Sequence, residues 1–387
     1  MKKVVLYLLV SAGIIWLLTL PSPLPANVGN GDFTAYWSAA YLLAHQENFA
    51  DPDLLLKTEQ ELAGWTGDFT LQTWNPPWFL PLMLPYTLFP FTTAVWLWFL
   101  TNIALVFTAA ILTWKACTTR PTADKTTLIA PLIAILFLPT LNAIYMGQVN
   151  TLVFFGLALM LFCQQKEHQT LAGAALVLTL VKPHLVYVTI PILLLQALSS
   201  RQWRFLVGFG SALALLTGIT FLFRPSFITE YASTTAEGNL LSWATPTLGG
   251  ILSTTLGWQE ARLMGLIVLP LTICWWWLNR GKFSIPILVQ STLLISVMTA
   301  PFGWGYDAIV LLIPILQIAV WLVEGRYSTQ SAWLFIAALV LIAALAFYQR
   351  RVMQSEVEVF WIPLAITAVY FTAYYLQKKE LAVAQTA

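Results

Sequence analysis

The charges of this chain fall in short patches, and the stretches between the patches are apolar over lengths that suit membrane crossing. Only 9% of the 387 residues are charged and 59% are hydrophobic, whereas a soluble domain carries about 25% charged residues. That balance excludes a water-soluble fold and points to a single integral membrane domain over residues 1–387, all-α and polytopic. The opening stretch MKKVVLYLLVSAGIIWLLTL reads as a retained first helix, because no small-residue cleavage site follows it and many further apolar runs do. Cys117, Cys163 and Cys274 lie in or beside apolar runs without paired spacing, as small packing residues do. No metal or cofactor is expected. The net charge of +2 says little about partners, and no nucleic acid is expected among them.

Apolar runs between the patches predict helices near 4–20, 93–115, 127–142, 150–163, 169–182, 184–199, 203–223, 260–278, 284–300, 308–323, 331–347 and 359–376, about 12 crossings. With the amino terminus inside, cytoplasmic segments carry 13 of the 19 basic residues, from Lys2 and Lys3 to Lys378 and Lys379. Lys57, Lys182, Arg224, Arg262, Arg350 and Arg351 remain outside, the bias of the positive-inside rule. Both termini are therefore expected in the cytoplasm of a multi-pass protein of the plasma membrane. The extracytoplasmic face takes 13 of the 17 acidic residues and the two long loops, 21–92 and 224–259; long ordered loops are usually functional. Within the first loop, Phe33, Tyr36, Trp37, Ala40, Tyr41 and Ala44 recur at helical spacing and predict an interfacial helix. The run Pro77 to Phe89, broken by Pro81 and Pro85, is too short to cross and is expected along the outer surface.

An ionisable residue at a membrane boundary is costly unless solvated or paired, so those present are functional candidates. Asp32, in GNGDFTAYW after the first helix, can serve as a base or as a helix cap. Trp74 and Asn75 open the second interfacial segment. Gly147, Gln148, Val149 and Asn150 form a polar turn, whose amides either meet substrate or satisfy the turn's own backbone groups. Lys182, Pro183 and His184 interrupt some thirty apolar residues; an ammonium and an imidazole there would stabilise a phosphate leaving group, and the alternative is a snorkelling lysine beside a helix-breaking proline. Arg224 offers a second phosphate contact or a headgroup anchor. Trp304, Tyr306 and Asp307 suit sugar recognition and equally suit an aromatic belt.

In order, GDFTAYWSAAYLL, WNPPWFLPLMLPYTLFPF, MGQVNTLVFFGLALML, LVKPHLVYVTIPILLL and APFGWGYDAIVLLIPIL resemble glycosyltransferase family 87, polyprenol-phosphate-mannose-dependent mannosyltransferases with a GT-C fold, over about residues 30–323. The resemblance implies a GT-C-like bundle with an extracytoplasmic active site and a polyprenyl-phosphate sugar as donor. By motif position it makes Asp32 the base, matches the family's KP pair to Lys182 and Pro183, and matches its polar turn to Gln148 and Asn150. Some members carry histidines where this chain has Gly305, Tyr306 and Asp307, so no histidine role transfers to that segment.

The expected reaction moves a sugar, mannose by family default, to a lipid or glycan acceptor with inversion. Asp32 acts as base; Lys182, His184 and Arg224 meet the donor phosphate; Tyr36, Trp37, Asn75, Gln148, Asn150, Trp304, Tyr306 and Asp307 line the substrates. Membrane lipids are the surroundings through which the donor arrives. The rivals are a transporter or flippase of lipid-linked envelope precursors and a non-catalytic assembly partner. Against the first, the two halves show no obvious repeat and the polar candidates gather at one face.

Overall fold

The computed structural model describes residues 31–119, 125–238, 243–352 and 357–386. The expected first helix near 4–20 lies outside the described residues, as do Lys2, Lys3, Arg120 and Glu356. The described residues form helices joined mostly by short turns, with a longer non-helical stretch over 64–76 and no strand among them.

The segment 31–90 folds against the bundle. Helix α1 (Asp32–Ala44) begins after Gly31. It is buried on nearly every side, with Thr34, Ser38, Ala39 and Ala40 as fully enclosed as Phe33 and Leu43. The face opposite the aromatics carries residues small enough to admit neighbouring backbone, so the expected interfacial helix is packed into the bundle by protein on both faces. Helix α2 (Pro52–Ala63) is amphipathic; the Asp51 side chain caps its first amides, and Gly64, at φ +71°, ends it in the left-handed conformation that favours glycine. Its Glu59 is buried, with Oε2 accepting from the Leu71 amide at 3.0 Å and Oε1 without a partner. Burial pushes this carboxyl up to about 7, against the pull of the Leu71 bond. Residues 77–88 make two successive 3-10 helices, Pro77–Leu82 and Leu84–Leu88, too short to cross a membrane.

Helix α3 (Phe91–Cys117) starts after Pro90 and runs apolar for 27 residues, about 40 Å. Next come α4 (Ile129–Leu136) and α5 (Leu138–Tyr145), bent by 65° at Phe137 where Pro139 follows. After α6 (Asn150–Gln165), α7 (Gln169–Val177), α8 (Thr189–Ser199) and α9 (Trp203–Phe223) come the shorter α10 (Phe227–Glu237) and α11 (Leu248–Leu256). The chain closes with α12 (Gly265–Asn279), α13 (Ile285–Thr299), α14 (Leu312–Val323), α15 (Thr329–Val352) and α16 (Trp361–Thr386). Helices α7 and α9 touch backbone to backbone: a Cβ on Gly173 would stand 1.9 Å from the Phe205 carbonyl, and one on Gly208 2.0 Å from that of Thr170. Small residues at such a crossing let membrane helices approach closely.

Among the described residues, five helical stretches are long and apolar enough to cross a membrane, or six with the bent pair as one span. They include Gly305–Val323, buried over most of its surface, and three that turn large apolar side chains outward: Leu222 on α9, Leu266 on α12 and Leu341 on α15 are all more than half exposed. Such faces suit lipid. Four further apolar helices, Asn150–Gln165, Gln169–Val181, Thr189–Ser199 and Ile285–Thr299, fall below the ~20 residues of a full span. The protein is therefore a polytopic, all-helical membrane protein, but the expected 12 crossings are not carried by twelve full-length helices. Breaks at Gly147 and Pro183 cut the apolar runs near 150–200 into shorter pieces.

Candidate active site

Four breaks in the helical bundle bring the polar candidates together. Lys182 precedes Pro183, which biases it away from the helical region; at φ −136° and ψ 74° it separates two 3-10 turns, so its side chain leaves the helix direction. Gly147, at φ +68°, turns the chain between α5 and α6 and presents Gln148 and Asn150. The 3-10 segment Gly305–Leu311 leads into α14 and carries Tyr306 and Asp307. The start of α1 supplies Asp32, and Tyr36 one turn later.

Asp307 is the hub. Its Oδ1 accepts from Lys182 Nζ at 2.8 Å and from Asn150 Nδ2 at 3.3 Å, and its Oδ2 accepts from the Trp304 amide at 3.0 Å. Lys182 also donates to Gln148 Oε1 at 2.8 Å, which receives the Tyr36 hydroxyl at 3.3 Å. Asn150 Nδ2 donates in addition to the Tyr306 carbonyl at 2.7 Å. The side chains of Lys182 and Asp307 are only 5% and 2% exposed, so the pair is desolvated and each charge depends on the other. The Lys182 ammonium further lies 4.8 Å from the centroid of the Tyr306 ring. That ring joins the hub to Asp32, because the Tyr306 hydroxyl donates to Asp32 Oδ2 at 3.4 Å. Asp32 occupies the first helical position, after the cap at Gly31, where the helix dipole favours its negative form.

Two buried polar atoms beside the hub have no hydrogen-bond partner, Asn150 Oδ1 and His184 Nε2. His184 Nε2 stands 3.8 Å from Asp307 Oδ2, beyond hydrogen-bond reach, and its ring packs on Phe302. An adjoining pocket is walled by Pro246, Thr247, Trp304 and Asp307, and on its far side by Ile362 and Pro363 of α16. An aromatic row leads from the hub towards the first loop: Tyr306 stacks on Trp304, Trp304 meets Trp243, and Trp243 meets Trp74. Among the described residues no group of three His, Cys, Asp or Glu side chains could hold a metal ion.

Other candidates stand elsewhere or do other work. Trp37 is buried, and its indole donates to the Tyr86 carbonyl at 3.2 Å, fixing α1 on the second 3-10 helix. Asn75 Nδ2 donates to the Val181 carbonyl at 2.7 Å, and Trp78 Nε1 to that of Leu180 at 3.1 Å, so the first loop clamps the residues just before Lys182. Arg224 pairs with Glu230 at 2.6 Å and donates to the Gln46 carbonyl at 2.8 Å, linking the start of α10 to the turn after α1. Burial acts to raise the Glu230 carboxyl, but its bonds from Arg224 and Ser226 prevail and hold it below the usual range. Sequence reasoning passed over Trp243, Phe302, Ile362 and Pro363; in a chain with 14% aromatic residues, one more ring or apolar side chain carries no contrast.

The model of glycosyltransferase family 87 matches residues 73–301, more than half of the chain. The chain belongs to glycosyltransferase family 87. It is a membrane glycosyltransferase, which acts on a sugar donor and an acceptor. The family match takes in Asn75, Gln148, Asn150, Lys182 and His184, while Asp32 and the Trp304–Asp307 segment lie beyond its ends. No curated protein and no solved structure matches the chain.

Proposed function

We propose that this family 87 enzyme transfers a sugar, mannose by preference, from a polyprenyl-phosphate donor to an extracytoplasmic lipid or glycan acceptor, inverting the anomeric carbon. The observation that carries the reading is the link from Asp32 through Tyr306 to the buried pair Lys182–Asp307, in a chain of this family. A partly exposed carboxylate and a buried ammonium share one cluster, as a transfer with an anionic leaving group requires.

Asp32 takes the proton from the acceptor hydroxyl as that oxygen bonds to the anomeric carbon. The bond from that carbon to the phosphate oxygen breaks, and the polyprenyl phosphate leaves with the electron pair, stabilised by Lys182 with His184 nearby. Before donor arrives, Asp307 serves as the counter-ion of Lys182; the entering phosphate shares or replaces it. Asn150 and Gln148 hold Asp307 and Lys182 in register, and the rings of Trp304 and Tyr306 offer faces to the sugar. In this reading the fold is a GT-C-like bundle in the plasma membrane with both termini cytoplasmic, and the donor chain lies in lipid beside the site. Arg224 serves there as a latch between outer loops.

The test is transfer itself. The purified protein in lipid nanodiscs, incubated with a panel of radiolabelled polyprenyl-phosphate sugars and an envelope lipid extract, is expected to label a lipid or glycan product from at least one donor. Label that stays on the donor throughout, with nucleotide sugars used instead, would overturn the donor assignment.

A further inference from the structure

The 3-10 turn that follows α11 holds a buried cation that no carboxylate among the described residues matches. Arg262 lies in the 3-10 turn Gln259–Leu263 and is 2% exposed. Its Nε donates to Ser253 Oγ at 3.0 Å and its Nη1 to Thr245 Oγ1 at 3.3 Å, both neutral hydroxyls. A guanidinium has five N–H donors in a planar fork, so among the described residues Nη2 and the rest of Nη1 meet no hydrogen-bond acceptor. Among the described residues no carboxylate pairs with it, and Glu260, two positions earlier, is exposed. Lys182, Arg224 and Arg326 each have an acidic partner, Asp307, Glu230 and Glu324.

Enclosing an ion is costly unless opposite charge and further hydrogen bonds compensate, and two hydroxyls do not replace a counter-ion. The surroundings nevertheless hold the arginine in place. A Cβ on Gly249 would stand 2.8 Å from the Arg262 Cα, so the first turn of α11 is pressed against it. Thr247 accepts from the Gly250 amide at 3.0 Å and caps that helix. Thr245, which takes Nη1, is followed by Pro246 and Thr247, both in the wall of the pocket that Asp307 also lines. The open edge of a guanidinium fork matches two oxygens of a phosphate better than any other common anion apart from carboxylate.

We infer that Arg262, framed by Thr245 and Ser253, is an anion site that receives a phosphate ester at the margin of the candidate active site. The ester belongs either to the polyprenyl donor or to an anionic lipid headgroup. Only the donor arm rests on the transferase reading above.

The test uses full-length protein in nanodiscs of phosphatidylcholine, in phosphate-free buffer, and reads affinity and thermal midpoint with two probes, polyprenyl monophosphate and phosphatidylglycerol. One probe is expected to bind the parent protein and raise its midpoint, and Arg262→Gln to weaken that binding about ten- to hundredfold, as loss of charge-assisted bonds does. Dependence on Arg262 for polyprenyl monophosphate identifies the donor phosphate, and dependence for phosphatidylglycerol identifies the headgroup. If the arginine only ties Thr245 to Ser253, the variant lowers the unliganded midpoint and leaves both affinities unchanged, which overturns the inference. Parent protein that binds neither probe overturns it as well. Should Arg262→Gln not fold, Arg262→Lys keeps the charge but loses the fork, and an unchanged affinity in that variant refutes the site. No sugar transfer enters these readings, so an inactive protein with Arg262-dependent binding would sink the transferase proposal and leave this one standing.

Discussion

Replacing Lys182 with methionine keeps most of the side-chain volume and removes the charge that Asp307 depends on. The ammonium gives 2.8 Å bonds to Asp307 Oδ1 and Gln148 Oε1, and both partners are buried. Asp307 retains Asn150 and the Trp304 amide, two neutral donors, so the substitution leaves a carboxylate enclosed without a cation. Breaking a buried pair from one side costs about 3–5 kcal/mol. Removing both charges, with Lys182→Met and Asp307→Asn together, leaves a neutral amide that can still accept from Asn150, so the double variant should lie about 2 kcal/mol or more above the sum of the single losses. Reversible unfolding of the four proteins in mixed micelles measures that cycle, and sugar transfer is followed in parallel. Stability should return in the double variant while transfer stays lost, because the leaving group still lacks its cation. Single losses that simply add, or a Lys182→Met protein as stable as the parent, would refute the claim that these two charges support each other.

Other expectations follow from the packing and from the outer loop. Gly173→Ala sets a methyl into the Phe205 carbonyl at 1.9 Å and should separate α7 from α9, lowering stability by about 1–3 kcal/mol in the same unfolding assay. Glu59 is raised to about 7 when folded against an ordinary value near 4.5, so between those values the folded protein holds a proton that the unfolded chain has released. Its contribution is therefore lost as pH rises from about 4.5 to 7. Exchange of the Leu71 amide should be faster at pH 8 than at pH 5 beyond the intrinsic rate change, and Glu59→Gln, which keeps an acceptor for that amide, should abolish the excess.

Much of the candidate cluster is legible in the sequence, because a polar residue beside or inside a long apolar run stands out. Lys182, Gln148, Asn150 and Asp307 were visible in that way, and the structure brings them within hydrogen-bond distance of one another. Partner choice was not visible. Nothing local distinguishes Lys182, matched by Asp307, from Arg262, matched by no acid among the described residues, since both are basic residues flanked by apolar ones. Trp37 and Asn75 stand out as polar or aromatic in the long first loop, yet their hydrogen bonds go to backbone carbonyls that only the tertiary fold brings near. The helices were legible in place but not in role. Residues 203–223 form one helix at those limits, whereas the expected helices 127–142 and 169–182 are broken by a bend at Phe137 and by the 3-10 turn Leu178–Val181, which hydropathy averages away. Pairing of α16 with the pocket was equally hidden, because Ile362 and Pro363 are ordinary apolar residues of an apolar helix.

The sharpest measurement separates binding from chemistry at Asp32. Asp32→Asn keeps a side chain that can accept from Tyr306 and removes the base, so donor affinity should stay within about threefold of the parent while the rate of sugar transfer falls by about 10²–10⁴. Transfer at the parental rate by that variant would contradict the assignment of Asp32 and, with it, the single site through which Tyr306 joins Asp32 to the Lys182–Asp307 pair.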